Sequence, residues 1–332
     1  MNSLHRSSIR NWLILGVLTL LAAVLSLCIG SVSVPVRQVI QALLGCETNS
    51  AAARIVIFTR LPRACAAMLA GSALAVSGAV IQSVLHNPLA SPGVMGVNSG
   101  AGLAVAILCA LSPAAQSWTP IAAFVGALAG VLLVLGLSEY TGASRMTVVL
   151  AGVAISNLFS AGIDGVVSLV PEALNGVSDF RIGGFSGVTM ARLAPAAVVI
   201  LVAMMGIFAM NIQMDVLSLG SDTARSLGMN VRLTRLILLI FAAALAGATV
   251  SFAGLLSFVG LIVPHAMRKI FGEESLPLLA GSALGGGFFV MVCDLIARTI
   301  FSPFELPVGV VLAFAGAPFF LWLLFRQRGG KA

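Results

Sequence analysis

Apolar residues fill this chain in long blocks separated by short polar connections. Ten blocks stand out, at roughly 12–31, 61–82, 94–111, 119–138, 147–170, 193–211, 235–253, 256–270, 276–300 and 306–325. About 20 mostly apolar residues in a helix cross a hydrocarbon layer of about 30 Å. The pattern therefore predicts an all-α polytopic membrane protein with about ten transmembrane helices, built as one domain over residues 1–332. The eighth block is short and ends on Arg268 and Lys269, so it is expected to tilt or to pack within protein. His5, Arg6 and Arg10 before the first block give it the look of a signal peptide. The block is long and has no small-x-small cleavage site, so it reads as a retained first helix.

The longest polar insertions fall at 32–60, 171–192 and 212–234. Within the first, residues 34–44 alternate as a short amphipathic helix would, with Pro35 near its start. Alternating the blocks from a cytoplasmic N-terminus puts eleven of the 18 lysines and arginines inside, with both termini cytoplasmic and the first two insertions external. The composition fits: 59% of residues are hydrophobic and 9% charged, and the 35 glycines suit close packing of membrane helices. The net charge of +7 follows from topology and gives no reason to expect nucleic acid. Most of the five cysteines lie inside apolar blocks without metal spacing and read as small hydrophobes.

Residues capable of chemistry are few. Leu217 to Val231 leaves the membrane but keeps apolar positions; Asp222 could cap a short helix ending at Gly228. That element is either a handle for a cytoplasmic partner or an ordinary connection. Gly71, Ala75 and Gly78 form a small-residue stripe expected to pack against another helix, as do Gly126 with Gly130 and Gly281 with Gly285. Gln82, on the same stripe near the inner end, could face a path. Pro88 and Pro92 interrupt the helix at Asn87-Pro88-Leu89, so this backbone either lines water or is a structural turn. Asp294 stands four residues before Arg298 and can pair with it. Asp164 lies inside the fifth block, where one lone acid makes a poor proton relay. His265 is expected to pack near the coupling region; with His5 and His86 unpartnered, no metal site or cofactor is expected. A secondary transporter would want paired intramembrane acids, and a membrane enzyme clustered His, Asp or Glu; neither is found. No G-x-x-x-x-G-K-[ST] is present, so energy for any ATP-driven step must come from another subunit.

Five stretches carry a resemblance. They are Arg60-Leu61-Pro62-Arg63; Asn87 through Gly100; Leu217-Ser218-Leu219-Gly220 with Asp222-Thr223-Ala224 and Leu227-Gly228; Phe258 through His265; and Glu305-Leu306-Pro307-Val308-Gly309 with Gly316-Ala317-Pro318. In this order they resemble the iron-chelate and vitamin B12 permease family of ATP-binding-cassette importers. The resemblance implies a vitamin B12 permease-like fold in a bacterial inner membrane. It implies a second permease subunit, identical or paralogous, two ATPase subunits and an extracytoplasmic binding protein. It implies a non-enzymatic transport subunit whose cargo is a metal chelate, first a ferric siderophore, with haem, cobalamin or another complex as alternatives. By resemblance, Leu219, Gly220, Asp222, Thr223, Ala224, Arg225, Leu227 and Gly228 couple to the ATPase within a loop at about 213–234. Arg60, Arg63 and Arg298 dock the binding protein, with Arg63 alternatively structural. Gln82, Asn87, Leu89, Ser144, Met146 and Thr147 line the path or gate.

Overall fold

The computed structural model describes residues 2–30, 33–45, 50–112, 115–140 and 145–329. Among these, all regular structure is helical: α1 (Asn2–Cys28), α2 (Val36–Leu43), α3 (Ala51–Ile55), α4 (Leu61–Leu85), α5 (Val97–Leu111), α6 (Thr119–Tyr140), α7 (Arg145–Leu169), α8 (Ala173–Ile182) and α9 (Met190–Ala209). Then come α10 (Asn211–Ser218), α11 (Ser221–Ser226), α12 (Val231–Ala253), α13 (Val259–Phe271), α14 (Ser275–Thr299) and α15 (Val308–Gly329). Each apolar block of the sequence falls on a helix. Seven helical stretches are long and apolar enough to cross a membrane, whereas Val97–Leu111, Val308–Leu321 and the 13-residue α13 are shorter.

The second block begins earlier than its apolar run. A wide turn at Val56–Arg60 joins α3 to α4 in one stretch from Ala51 to Leu85. Ser50 starts it by accepting a hydrogen bond from the Ala53 N–H at 3.2 Å. Arg54, Thr59 and Arg60 made this entry look like a polar connection. The amphipathic stretch after Pro35 does form α2, and its Val39 and Ala42 pack with Cys28, Val34, Ala53 and Val56. α13 is short because both its ends are fixed by unusual backbone. Phe258 precedes it at φ 67° and Gly272 follows it at φ 90°.

α4 is the central helix, packed by α14, α12 and α13. Its small-residue stripe explains how three helices reach it at backbone distance. A Cβ on Gly71 would stand 2.1 Å from the Gly286 carbonyl oxygen, and one on Gly78 would stand 1.9 Å from that of Gly260. Ser72 and Ser77 add cross-helix hydrogen bonds to the carbonyls of Ala283 and Ala242, each 2.7 Å. Gly126 and Gly130 meet the backbone of α5 and its lead-in, and Gly281 and Gly285 receive Phe271 and Met267 of α13. Gly78→Ala is expected to cost about 2–3 kcal/mol, the upper range for overpacking, because the obstruction is backbone rather than a movable side chain. The thermal midpoint of purified protein in detergent checks this; an unchanged midpoint would refute the close contact.

Candidate functional site

Three groups of residues define what the bundle can do. The first lies at one end of α4 and α14. Arg63 places its Nε 3.0 and 3.2 Å from the two oxygens of Asp294, its Nη2 3.0 Å from Oδ1, and its Nη1 2.6 Å from Glu305 Oε2. Arg298 approaches the same carboxylate, Nε to Oδ2, at 3.2 Å. Asp294 has no exposed side-chain surface. Two guanidinium groups and two carboxylates thus balance, with Asp294 shared and wholly buried and Glu305 at the solvent edge. The i,i+4 pairing of Asp294 with Arg298 is found, and Arg63 is held between Asp294 and Glu305.

The arginines expected to face an external partner are turned inward. Arg60 is 4% and Arg298 3% exposed. Arg60 Nη1 donates to the carbonyls of Leu27 (2.9 Å) and Cys28 (2.7 Å), and Arg298 Nη2 to the Ser26 carbonyl (3.2 Å) and hydroxyl (2.9 Å). The last carbonyls of a helix have no partner within it, and this end carries the negative pole. The two guanidinium groups cap α1 and lie buried in the chain alone. Beside them Arg63, Asp179 and Glu305 open onto a surface cavity of about 390 Å³.

The second group is the connection α10–α11. α11 follows Gly220 at φ 107°, which replaces Asp222 as the residue before the helix. Asp222 lies in its first turn, where a carboxylate suits the positive helix end, and Arg225 stands 3.4 Å away. Gly228 at φ 82° follows the helix, as expected. Ala224 is fully buried. Around it Leu219 and Leu227 are 62% and 64% exposed, and Asp222, Thr223, Arg225 and Gly228 are also exposed. A buried alanine thus anchors a knob whose apolar tips have no cover in this chain. Two hydrogen bonds tie the knob to long helices. Arg235 on α12 donates to Ser221 Oγ at 2.7 Å, and Asp215 on α10 accepts from the Ser275 N–H, the first residue of α14, at 2.8 Å.

The third group surrounds the break after α4. His86 ends the helix at φ 48°, and Asn87 Oδ1 accepts from the Leu89 N–H at 2.9 Å, closing a turn before Pro92. Asn87 and Leu89 are half-buried. Gln82, read as facing a path, is instead 2% exposed. Its Nε2 donates to the Gly260 carbonyl at 3.0 Å and its Oε1 accepts from Arg268, so it joins α4 to α13. Thr147 lies half-buried in the first turn of α7. Ser144 falls outside the described residues, as does the side chain of Met146. His265 stands edge-on to Phe319 of α15, with ring centroids 6.0 Å apart, rather than beside the coupling segment.

Nothing local in the chain signals the roles of Ser26, Asp215, Arg235 or Arg268. Glu305 stood in a motif without an assigned partner. Each acts on a residue distant in the chain, and no local pattern encodes such pairs.

A bundle of long apolar helices with a short exposed helix between two of them is the architecture of a polytopic membrane transport subunit. The chain belongs to the FecCD transport family, whose model matches residues 18–326. It is 36% identical over 327 residues to the hemin transport system permease protein HmuU of Yersinia pestis, covering 95% of this chain and 96% of that one. It is 36% identical over 309 residues to the Fe(3+) dicitrate transport system permease protein FecD of Escherichia coli, covering 92% and 95%. Identity to the vitamin B12 import system permease protein BtuC of Yersinia pseudotuberculosis is 36% over 278 residues, covering 82% of each. The fold matches a solved metal-chelate-type ABC transporter in an inward-facing conformation, with a TM-score of 0.84 at 25% identity, over 96% of this chain and 99% of that one.

Proposed function

We propose that this chain is the membrane-spanning permease subunit of an ATP-driven importer, and that its cargo is a ferric siderophore. The observation that carries the reading is the α11 knob, where Leu219 and Leu227 stand exposed around a buried Ala224. Such a surface suits a cytoplasmic ATPase subunit. Residues 219–228 then transmit its movement through Asp215 to α14 and through Arg235 to α12. The cargo follows from the iron and metal-complex permeases among the relatives. A second permease copy, two ATPase subunits and an external binding protein complete the assembly, in the cytoplasmic membrane with both chain termini inside.

The binding protein meets the end organised by Arg60, Arg63 and Arg298. In the chain alone these groups satisfy α1, Asp294 and Glu305; a partner carboxylate would exchange for one of those acceptors, which suits the bidentate guanidinium. Asn87 and Leu89 form the inner gate, with Ser144, Met146 and Thr147 as its second element.

The test is uptake of labelled ferric siderophores, haem and cobalamin into proteoliposomes holding this chain with its ATPase and binding protein. ATP-dependent accumulation of a ferric siderophore is expected. Accumulation of haem or cobalamin instead would refute the cargo. No accumulation of any, with no ligand-stimulated ATP hydrolysis by the assembled complex, would refute the importer.

A further inference from the structure

α7 carries a polar stripe that the rest of its chain leaves uncovered. Asn157, Ser160, Asp164 and Ser168 recur at steps of three and four, which puts them on one helical face, and all four are exposed. The opposite face packs on α5 and α6. Only 22% of the most apolar window of Thr147–Leu169 is buried, as in α1, against 78% for the stretch containing α4, and it is the least hydropathic of the seven long stretches among the described residues. Among the described residues Asp164 has neither ion pair nor hydrogen bond.

A carboxylate and three other polar groups along a helix do not face hydrocarbon without a large cost. Reaching up to the interface would account for Asp164, which stands about 7.5 Å from the end of α7, but not for Asn157, about 18 Å from that end. At its lower part the stripe opens into a cavity of about 450 Å³. Ser156 and Asn157 line one side of it, and Ser91, Gly93 and Asn98 of the segment after the gate line the other. The stripe therefore runs into a mostly apolar space at the break after α4, in which Ser91, Asn98, Ser156, Asn157 and Ser257 are the polar side chains.

On the permease reading this face of α7 borders the passage opposite a second copy of the chain, and we infer that Asp164 sets the charge the passage admits. Two Asp164 carboxylates face one another across the two-fold axis of such a pair and concentrate cations between them. The cargo is then a chelate of net positive or zero charge, and anionic chelates are disfavoured. This inference rests on the permease reading and narrows its substrate class.

The experiment uses the assembled permease–ATPase complex with its native cysteines replaced, carrying S160C one helical turn from Asp164. Impermeant cationic and anionic methanethiosulfonates are compared at low ionic strength, with Asp164 intact and in D164N. A single charge about 6 Å away in water favours one reagent and opposes the other, so the cation-to-anion rate ratio should fall roughly tenfold in D164N. N157C should react with both reagents as well. An unchanged ratio overturns the charge assignment. Reaction with lipid-soluble maleimide alone overturns the passage, because it places the stripe against lipid. ATP-dependent uptake by the unmodified complex is read in parallel. If the transported chelate is anionic and D164N leaves its uptake rate unchanged, the cargo inference is wrong while the importer stands.

Discussion

Replacing Asp294 by alanine should cost the folded chain about 3–5 kcal/mol, the penalty of removing one partner from a buried ion pair. The carboxylate has no exposed surface and serves Arg63 and Arg298 together. Without it Arg298 keeps only the neutral acceptors on Ser26, and Arg63 keeps only Glu305 at the rim. Neither arginine can turn to water without leaving α1 or α4 uncapped or unpacked. The thermal midpoint of purified protein should fall well beyond that of Gly78→Ala. Asp294→Asn should lie between, because the amide keeps the shape and loses the charge. The double change Asp294→Leu with Arg298→Met should recover part of the loss, since apolar pairs of similar volume replace buried ions at little cost. A double variant as damaged as the sum of its parts would mean that the ions themselves shape this end. A midpoint for Asp294→Ala equal to that of the native chain would refute the network.

Leu219→Asp with Leu227→Asp should abolish ATP-driven uptake while leaving the chain folded. Both side chains are mostly exposed, so the change adds charge to water and takes nothing from the core. Buried in a partner's groove, each would be the kind of anchor whose loss costs about 2 kcal/mol or more, roughly thirtyfold in affinity apiece. The expected readings are loss of copurification with the ATPase and loss of its stimulation, at an unchanged thermal midpoint. Full stimulation in the double variant would show that the ATPase docks elsewhere. Ala224→Asp is the contrasting case: it should damage the knob itself, because Ala224 is wholly buried.

What could be read from the sequence was whatever a local period encodes. The steps of four and three through Gly71, Ala75 and Gly78 announced a close helix contact, and the structure supplies Gly286 and Gly260 as its other half. Gly228 ended α11 because only a residue at ease with positive φ can stand there. Asp294 and Arg298, one turn apart, were legible as a pair. What stayed hidden were demands created by distant parts of the chain. The open carbonyls of α1 required donors, so Arg60 and Arg298 face inward, although their positions in the sequence suited an outer surface equally well. Gln82 continued the period of the packing stripe, and its polarity near the inner end suited a path equally well. The arrival of α13 gave both of its polar ends partners and buried it. Asp164 was undervalued because a lone acid is a poor relay, whereas the stripe on which it stands becomes visible only once α5 and α6 cover the other face.

The ion cluster also has a timetable. Arg63 and Asp294 are 231 residues apart, and ribosomes add roughly 5–20 residues each second. For more than ten seconds after Arg63 leaves the ribosome its buried acid does not exist, so it must wait at the water boundary. The end of the bundle can close only after α14 has entered the bilayer. A nascent chain stalled before Asp294 would therefore keep Arg63 open to water-soluble reagents, and one stalled after α15 would not.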